Sequence, residues 1–169
     1  MRLIILFVLC LSSLHAAPKT IIAADNADYD GKKIRMLGAV NIQHEFGDIH
    51  CDKGVLLMKE ASEKRICPER ILLYGAVNVV LQDGSVLTSE EADINCETLE
   101  GVFTSAAPMK VVYCTRVEEN GKAVPVKTVS RSMRVTMKKV QSDDTKKLEY
   151  VIHDIQAEGA VNIEYQLEN

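Results

Sequence analysis

The nonapeptides IRMLGAVNI (residues 34–42), ILLYGAVNV (residues 71–79) and IQAEGAVNI (residues 155–163) are three versions of one phrase, I-x-x-x-G-A-V-N-(I/V). In each copy apolar residues fall on every second position, and the residues between them are largely polar. This alternation is typical of a β-strand with one buried and one solvated face. An amphipathic helix does not fit, because residues i and i+2 lie on different sides of a helix.

Each copy carries a glycine inside the expected strand, at Gly38, Gly75 and Gly159. Glycine weakens a strand interior, and there it usually marks a bulge, a bend or a close backbone approach. We therefore expect each GAVN tetrapeptide to be the bend at which a strand folds over a layered all-β body.

A second phrase, with a small residue followed by a mostly charged pair, recurs upstream of these strands. It reads ADNADY (residues 24–29), CDKGVL (residues 51–56), SEEADI (residues 89–94) and SRSMRV (residues 130–135). Its unequal spacing indicates loop insertions between strands rather than a strict solenoid period. Together the two phrases predict about four degenerate repeats.

Proline and glycine mark the connections between strands. The third repeat closes with VFTSAAPMKV (residues 102–111), where Ala106 replaces the glycine and Pro108 replaces the valine of the GAVN phrase. Because proline cannot donate to a strand ladder, this copy is expected at an edge, a bulge or a corner. Asn120-Gly121 predicts a two-residue hairpin turn.

The length and the net charge of the chain limit the classes of function. A chain of 169 residues is long enough for one domain with a hydrophobic core. The formal net charge of −4 and the lack of a polybasic run do not favour binding to nucleic acid or to an anionic membrane surface.

The N-terminus, MRLIILFVLCLSSLHAAP (residues 1–18), has the pattern of a secretory signal peptide. Arg2 precedes an apolar run that ends near Leu14, and small residues follow at Ala16–Ala17. The run is shorter than the ~20 residues that a spanning helix needs. We expect residues 1–16 to be removed and residues 17–169 to form a single β domain; an uncleaved N-terminal anchor is the alternative.

Four cysteines would remain after cleavage. They are Cys51, Cys67, Cys96 and Cys114. In an oxidising compartment an even number permits two disulfides, in any of three connectivities, and free buried thiols are the alternative. Cys51 begins a copy of the small-residue phrase, which predicts a small, buried side chain there.

No pattern in the chain indicates catalysis. Neighbouring residues of a strand point to opposite faces, so His50, Cys51 and Asp52 cannot converge on one metal ion. Glu90-Glu91 falls where the small-residue phrase begins a strand, which favours a solvated strand end over acid–base chemistry. The sequence also has no glycine-rich phosphate loop. We therefore expect a protein that is not an enzyme and that uses no metal and no cofactor.

The recurring phrases resemble those of the organic-solvent-tolerance (OstA-like) N-terminal family, which includes the periplasmic lipopolysaccharide-export proteins A and C. The resemblance rests on four segments in order: ADNADYDGKKIRMLGAVNI (residues 24–42), GDIHCDKGVLL (residues 47–57), ILLYGAVNVVLQDGSVLTSEEADIN (residues 71–95) and IQAEGAVNIEY (residues 155–165). The four cysteines and the segment of residues 115–132 depart from the family pattern.

The resemblance implies an elongated, twisted, open β-jelly roll of many short antiparallel strands. It also implies a non-enzymatic periplasmic carrier or bridge that holds the acyl chains of lipid A between its sheets. The carrier would pass lipopolysaccharide from the inner to the outer membrane, with export proteins at both membranes as partners. Copies of the chain would join end to end by strand addition. A cleaved signal favours the soluble bridge component, and an uncleaved anchor favours the membrane-tethered one.

The interior positions implied by the resemblance are the inward-facing residues of the matched strands. They are Ile34, Met36, Val40, Ile42, Ile49, Ile71, Leu73, Val77, Val79, Val161 and Ile163. From the pattern alone two interpretations stay open. The aliphatic faces either leave a groove for an acyl chain or simply fill the closed core of a structural module of the cell envelope.

Overall fold

The computed structural model describes residues 21–44, 46–58, 68–119, 121–141 and 148–165, and every regular element in these ranges is a β-strand. The all-β prediction is therefore confirmed. In chain order the strands are β1 Ile21–Ala23, β2 Asn26–Tyr29, β3 Lys33–His44, β4 Gly47–Met58, β5 Pro68–Leu81, β6 Val86–Asn95, β7 Glu100–Thr104, β8 Val111–Glu119, β9 Lys122–Ser130, β10 Ser132–Gln141, β11 Leu148–Glu158 and β12 Asn162–Tyr165. No helix of these ranges has the length and hydrophobicity to cross a membrane.

The twelve strands form one large antiparallel sheet that does not close on itself. Among the described strands, β1 and β2 pair only with β3, at one end of the sheet. At the other end β11 pairs only with β10, and β12 pairs only with β9. Within the described residues, the sheet therefore has strand edges without a neighbouring strand at both ends.

The long strands bend at the GAVN tetrapeptides. The register of β3 against β4 shifts between Leu37 and Val40, and that of β5 against β6 shifts between Tyr74 and Val77. The backbone there is left-handed over two successive residues, and the third tetrapeptide, between β11 and β12, has the same conformation. The φ angles are 76° and 43° at Gly38 and Ala39, 73° and 44° at Gly75 and Ala76, and 76° and 53° at Gly159 and Ala160. The bend predicted for each copy is confirmed.

These bends divide the sheet into two halves, and most long strands contribute to both. The first half contains residues 33–37 of β3 and 70–74 of β5, together with β2, β7, β10 and β11. The second half contains residues 40–44 of β3 and 77–81 of β5, together with β1, β8, β9 and β12. Strands β4 and β6 also run from one half into the other.

Two predicted connections are present. Strands β8 and β9 pair up to Glu119 and Lys122, so they form the hairpin expected at Asn120-Gly121. Residues 105–110 carry the chain from β7 in the first half to β8 in the second, which is the corner expected around Pro108. Beyond Cys114, the partner of Val86 in β6, strand β8 pairs only with β9 among the described strands.

One apolar cluster forms the core and draws on both halves of the sheet. Burial alternates along the strands, as in β6, because successive side chains point to opposite faces. Met36 and Met133 from the first half and Ile42 and Val79 from the second are all buried in this cluster. The buried face of the sheet therefore lies on one side, and the core forms where its two halves meet.

Candidate functional site

The eleven predicted interior residues divide into a buried group and an exposed pair. Eight are buried to 2% exposure or less, and Ile34 is half-buried against the same core. Val161 and Ile163 are 46% and 50% exposed, so these two side chains are not buried. The eight buried residues are Met36, Val40, Ile42, Ile49, Ile71, Leu73, Val77 and Val79.

A row of cross-strand neighbours on this face runs through the second half from one free edge to the other. Residues opposite each other in antiparallel strands share a face, so the pairings give the row directly. We call it the Ile42 row, and all its members except one threonine are apolar. It consists of Ile22, Ile42, Ile49, Val79, Leu87, Tyr113, Thr128 and Ile163.

The first half carries an equivalent row, which we call the Ile71 row. It also reaches both edges of the sheet, and each of its side chains is apolar or aromatic apart from one glycine. It consists of Tyr29, Ile34, Leu56, Ile71, Ile94, Gly101, Val135 and Ile155.

The exposure of both rows rises toward the edges. Ile42 and Ile49 are fully buried, whereas Ile22 and Ile163 at the two ends of their row are 37% and 50% exposed. Tyr29, the first member of the Ile71 row, is 58% exposed. Ile163 therefore lies on the predicted face, but no described strand continues the sheet beyond it.

The two rows face each other across a narrow apolar pocket. Its lining has no polar or charged side chain: Phe46, Val79, Leu81, Leu87, Ile94, Gly101, Phe103, Val135 and Met137. The centre of a water-sized sphere can occupy only about 20 Å³ of it. That is the space of roughly one water molecule, which would find no hydrogen-bond partner among these side chains. The interior is therefore dry and nearly filled.

An aromatic contact joins the two halves at strand ends remote from the bends. Phe46 lies at the β3–β4 turn and Tyr150 near the start of β11, and their ring centroids are 6.4 Å apart at 74°. The His44 ring lies 4.4 Å from Phe46 and 6.2 Å from Tyr150. The Lys139 ammonium lies 5.1 Å from the centroid of the Tyr150 ring. Because Phe46 also lines the pocket, these rings cover one side of it.

The small-residue phrase packs against the glycine of the next GAVN segment. A Cβ placed on Gly38 would lie 3.0 Å from Cβ of Asp25, and one on Gly75 would lie 3.0 Å from Cβ of Asp52. At Gly159 the neighbour at 3.0 Å is Cβ of Arg131. Contacts of this length are tighter than most real side chains make, so a side chain here would have to displace its neighbour. The left-handed backbone favours glycine in addition.

In the third repeat, too, the second residue of the small-residue phrase lies beside the closing phrase. Here the two are joined by hydrogen bonds instead of close packing against a glycine. The Ala106 backbone N–H donates to the carboxylate of Glu90 at 2.6 Å, and the Glu90 N–H donates to Ser105 Oγ at 3.1 Å. The first residues of the phrases also behave alike. Ser89 and Ser130 each donate a hydrogen bond to the carbonyl two residues ahead, at 2.8 and 2.9 Å, and the Cys51 thiol does so at 3.1 Å.

The Cys51 thiol is structural rather than nucleophilic. Cys51 is 6% exposed, as its position in the phrase predicts, and burial raises the pKa of its thiol from 9.0 to about 11. It is therefore protonated at neutral pH and unreactive. Cys51 and Cys114 are both free thiols, so the four cysteines do not form two disulfides; Cys67 lies outside the described residues.

The opposite face of the first half is polar. Arg35 donates hydrogen bonds to Asp28 and Asp30, each at 2.8 Å, and Arg70 is ion-paired with Asp93. These side chains are exposed, so the pairs contribute little stability and mainly keep this face solvated. In the described ranges no three His, Cys, Asp or Glu side chains lie close enough together to hold a metal ion.

Sequence analysis missed part of the interior. Phe46, Tyr150, Phe103 and Leu87 belong to the core, but none of them is among the predicted interior residues. Alternation of apolar residues along β6 and β7 was the available signal for Leu87 and Phe103. Phe46 lies between β3 and β4, and Tyr150 is the third residue of β11, so neither belongs to a phrase whose alternation marks a face.

Comparison with known proteins identifies no relative. No protein-family model matches the chain, and no curated protein sequence matches it.

Proposed function

We propose that this protein is a non-enzymatic lipid carrier of the cell envelope that holds the acyl chains of lipopolysaccharide between the two halves of its sheet. The observation that carries the proposal is the pair of apolar rows, which cross the whole sheet and reach both free edges. Transfer of an acyl chain from water to such a face gains about 0.8 kcal/mol per methylene. A dozen carbons therefore supply affinity without charged anchors.

The fold that goes with this proposal is an open β-jelly roll built from four degenerate repeats. Its support is the recurring corner, in which the second residue of each small-residue phrase packs against the next closing phrase. The left-handed Gly-Ala pairs turn three of the strands in the same way. One half of the sheet is thereby laid over the other, with the apolar rows between them.

Binding requires the two halves to separate. The pocket between them is nearly filled, so an acyl chain must replace contacts that the side chains now make with one another. Because aliphatic side chains line both rows, hydrocarbon can substitute for these contacts at similar energy. A uniform lining also lets the chain slide without one dominant site, which suits a carrier that passes its ligand on.

The free edges supply the joints of a bridge. An exposed strand edge pairs readily with another strand, which is normally an aggregation hazard. In a head-to-tail pair of copies, β12 and β11 of one would meet β1 and β2 of the next, so that Ile163 and Ile22 extend one apolar row. Export proteins at the inner and outer membranes would add to the same edges.

The proposed location is the periplasm, reached with the signal peptide of residues 1–16, which lie outside the described residues. If that segment is retained instead, the same domain would work as a component anchored in the inner membrane. Mass spectrometry of the mature protein distinguishes the two, because cleavage removes the first sixteen residues.

Site-specific photo-crosslinking tests the lipid-carrier function. A photoreactive residue at Ile34, half-buried on the apolar face, should label lipopolysaccharide in cells, whereas one at neighbouring Arg35, exposed on the polar face, should not. Equal labelling at both positions would contradict the proposal.

A second candidate function is favoured by the packed interior. With space for only about one water in the pocket between the rows, the domain also suits a structural module whose closed β core serves to assemble envelope components. Such a module would purify without lipid and would form concentration-dependent oligomers through its edges. Lipid analysis of the purified protein therefore separates the two functions.

A further inference from the structure

The ring contact between Phe46 and Tyr150 is the feature that decides access to the pocket from one side. Phe46 is 3% exposed and belongs to the second half of the sheet, and Tyr150 is 8% exposed and belongs to the first. Their rings meet edge to face, 6.4 Å apart, at strand ends remote from the bends. The two halves are continuous through the bends, so they can separate on this side without breaking a strand.

Phe46 connects this contact to the pocket. It lines the pocket together with Phe103 and Met137 of the first half, and its other face packs against His44 and Tyr150. While Phe46 holds this position the free space admits no more than about one water molecule. A hydrocarbon chain can therefore enter here only if the Phe46 ring moves away from Tyr150.

We propose that the pocket behind Phe46 is the entry site for a single alkyl chain, and that the contact between Phe46 and Tyr150 is its gate. This inference rests on the proposed lipid-carrier function and adds where the chain enters. The occupant is an alkyl chain because all nine lining residues are apolar and none could hydrogen-bond a polar group. The narrow width admits one chain at a time.

An aromatic pair is suited to such a gate. The specific attraction between the two rings shifts the equilibrium between the open and the closed pocket by about two- to tenfold toward the closed state. The pocket is therefore mostly closed but can still open. In the open state the alkyl chain takes the place of the displaced ring, so the apolar lining stays out of water.

The test is the rate at which the full mature protein takes up 11-(dansylamino)undecanoate, followed by stopped-flow fluorescence. Tyr150→Leu keeps an apolar side chain but removes the ring, and it should raise the association rate about three- to tenfold. Phe46→Leu should do the same. Tyr150→Phe keeps the ring contact, so it should accelerate association less than Tyr150→Leu does.

Met133 provides the control. It is fully buried in the same core, but it belongs to neither apolar row and does not line the pocket. Met133→Ala leaves a cavity in the core and should keep the association rate within about 1.5-fold of the wild type. Equal acceleration by Met133→Ala and Tyr150→Leu would overturn the gate, because general loosening of the core would then explain both.

The remaining outcomes are also decisive. A wild type that binds the probe at a rate unchanged by Tyr150→Leu and Phe46→Leu would retain the lipid-carrier function and overturn the gate. A wild type that binds no probe would overturn both. If a leucine variant fails to fold, hydrogen exchange on the wild type serves instead: saturation with the probe should speed exchange at Tyr150 and its neighbours in β11, and unchanged exchange there would overturn the gate.

Discussion

Ile49 and Ile163 are the same side chain on the same face of one cross-strand row, yet Ile49 is fully buried and Ile163 is half exposed. Ile49 has a neighbouring strand on each side and the other half of the sheet above it. Ile163 has a strand on one side only among the described strands. In the middle of the sheet the apolar face is therefore fully packed, whereas at the ends of the sheet the same face is partly exposed to solvent. We therefore expect substitutions at fully packed sites to have larger effects than substitutions at solvent-exposed ones.

The largest difference is expected between the two isoleucines themselves. Ile49→Ala removes buried methyl groups and leaves a cavity, so it should lower the free energy of unfolding by about 2–5 kcal/mol. Ile163→Ala should change it by less than about 0.5 kcal/mol, because that side chain is already half in water. Urea denaturation of dilute protein measures both, and equal losses would show that the free edge is packed in solution.

The next largest difference in stability is expected between alanine substitutions at two glycines that both have left-handed backbones. Gly75 lies against Asp52 at a bend, whereas nothing lies within 4 Å of a Cβ built on Gly84, although their φ angles are 73° and 81°. Gly84→Ala should cost only the left-handed strain, about 1–2 kcal/mol. Gly75→Ala adds a clash with backbone-fixed Cβ of Asp52 and should cost about 1–3 kcal/mol more. Similar thermal unfolding curves for both variants would contradict the close approach.

The buried thiol of Cys51 should make the stability of the fold depend on pH. Burial raises the pKa of Cys51 from 9.0 to about 11, so between these pH values the folded protein holds a proton that the unfolded chain has lost. This contribution to stability, on the order of 2 kcal/mol, is present below pH 9 and disappears as the pH rises through 11.

Cys51→Ala should therefore show a shallower loss of stability between pH 9 and 11 than the wild type. Cys114 is exposed, so it serves as the reference thiol for accessibility. In the folded protein at pH 8, iodoacetamide should modify Cys114 well before Cys51, as read by mass spectrometry. The reverse order would mean that the bend at Cys51 opens readily.

The smallest effect is expected at the edge. Lys127 and Glu164 form a 3.5 Å ion pair between β9 and β12, and both side chains are about half exposed. Glu164→Gln should change the free energy of unfolding by less than about 0.5 kcal/mol, because water and salt screen the pair. A loss above 1 kcal/mol would show that this edge is less exposed to water in solution than the 50% exposure of Ile163 indicates.

Much of the interior could be predicted because its signal is local. Ile34 to Ile42 and Ile71 to Val79 alternate strictly, and the glycine between them marks where each strand turns. Val161 and Ile163 carry the same signal, but no described strand lies on the far side of β12 to bury them. Phe46 and Tyr150 are far apart in the chain, so no local pattern could join them. The small volume of the pocket could not be predicted from the sequence either, since it depends on how the two halves of the sheet pack against each other.

The sequence by itself determined the strands, the apolar face and the positions of the bends, because alternation and glycine placement act within a few residues of the chain. Only the tertiary structure decided which ends of the rows stay exposed, and that the two halves meet through the rings of Phe46 and Tyr150 with little space between them. Those outcomes depend on packing between segments up to about a hundred residues apart, and the free energy of a packed contact is a property of both surfaces together.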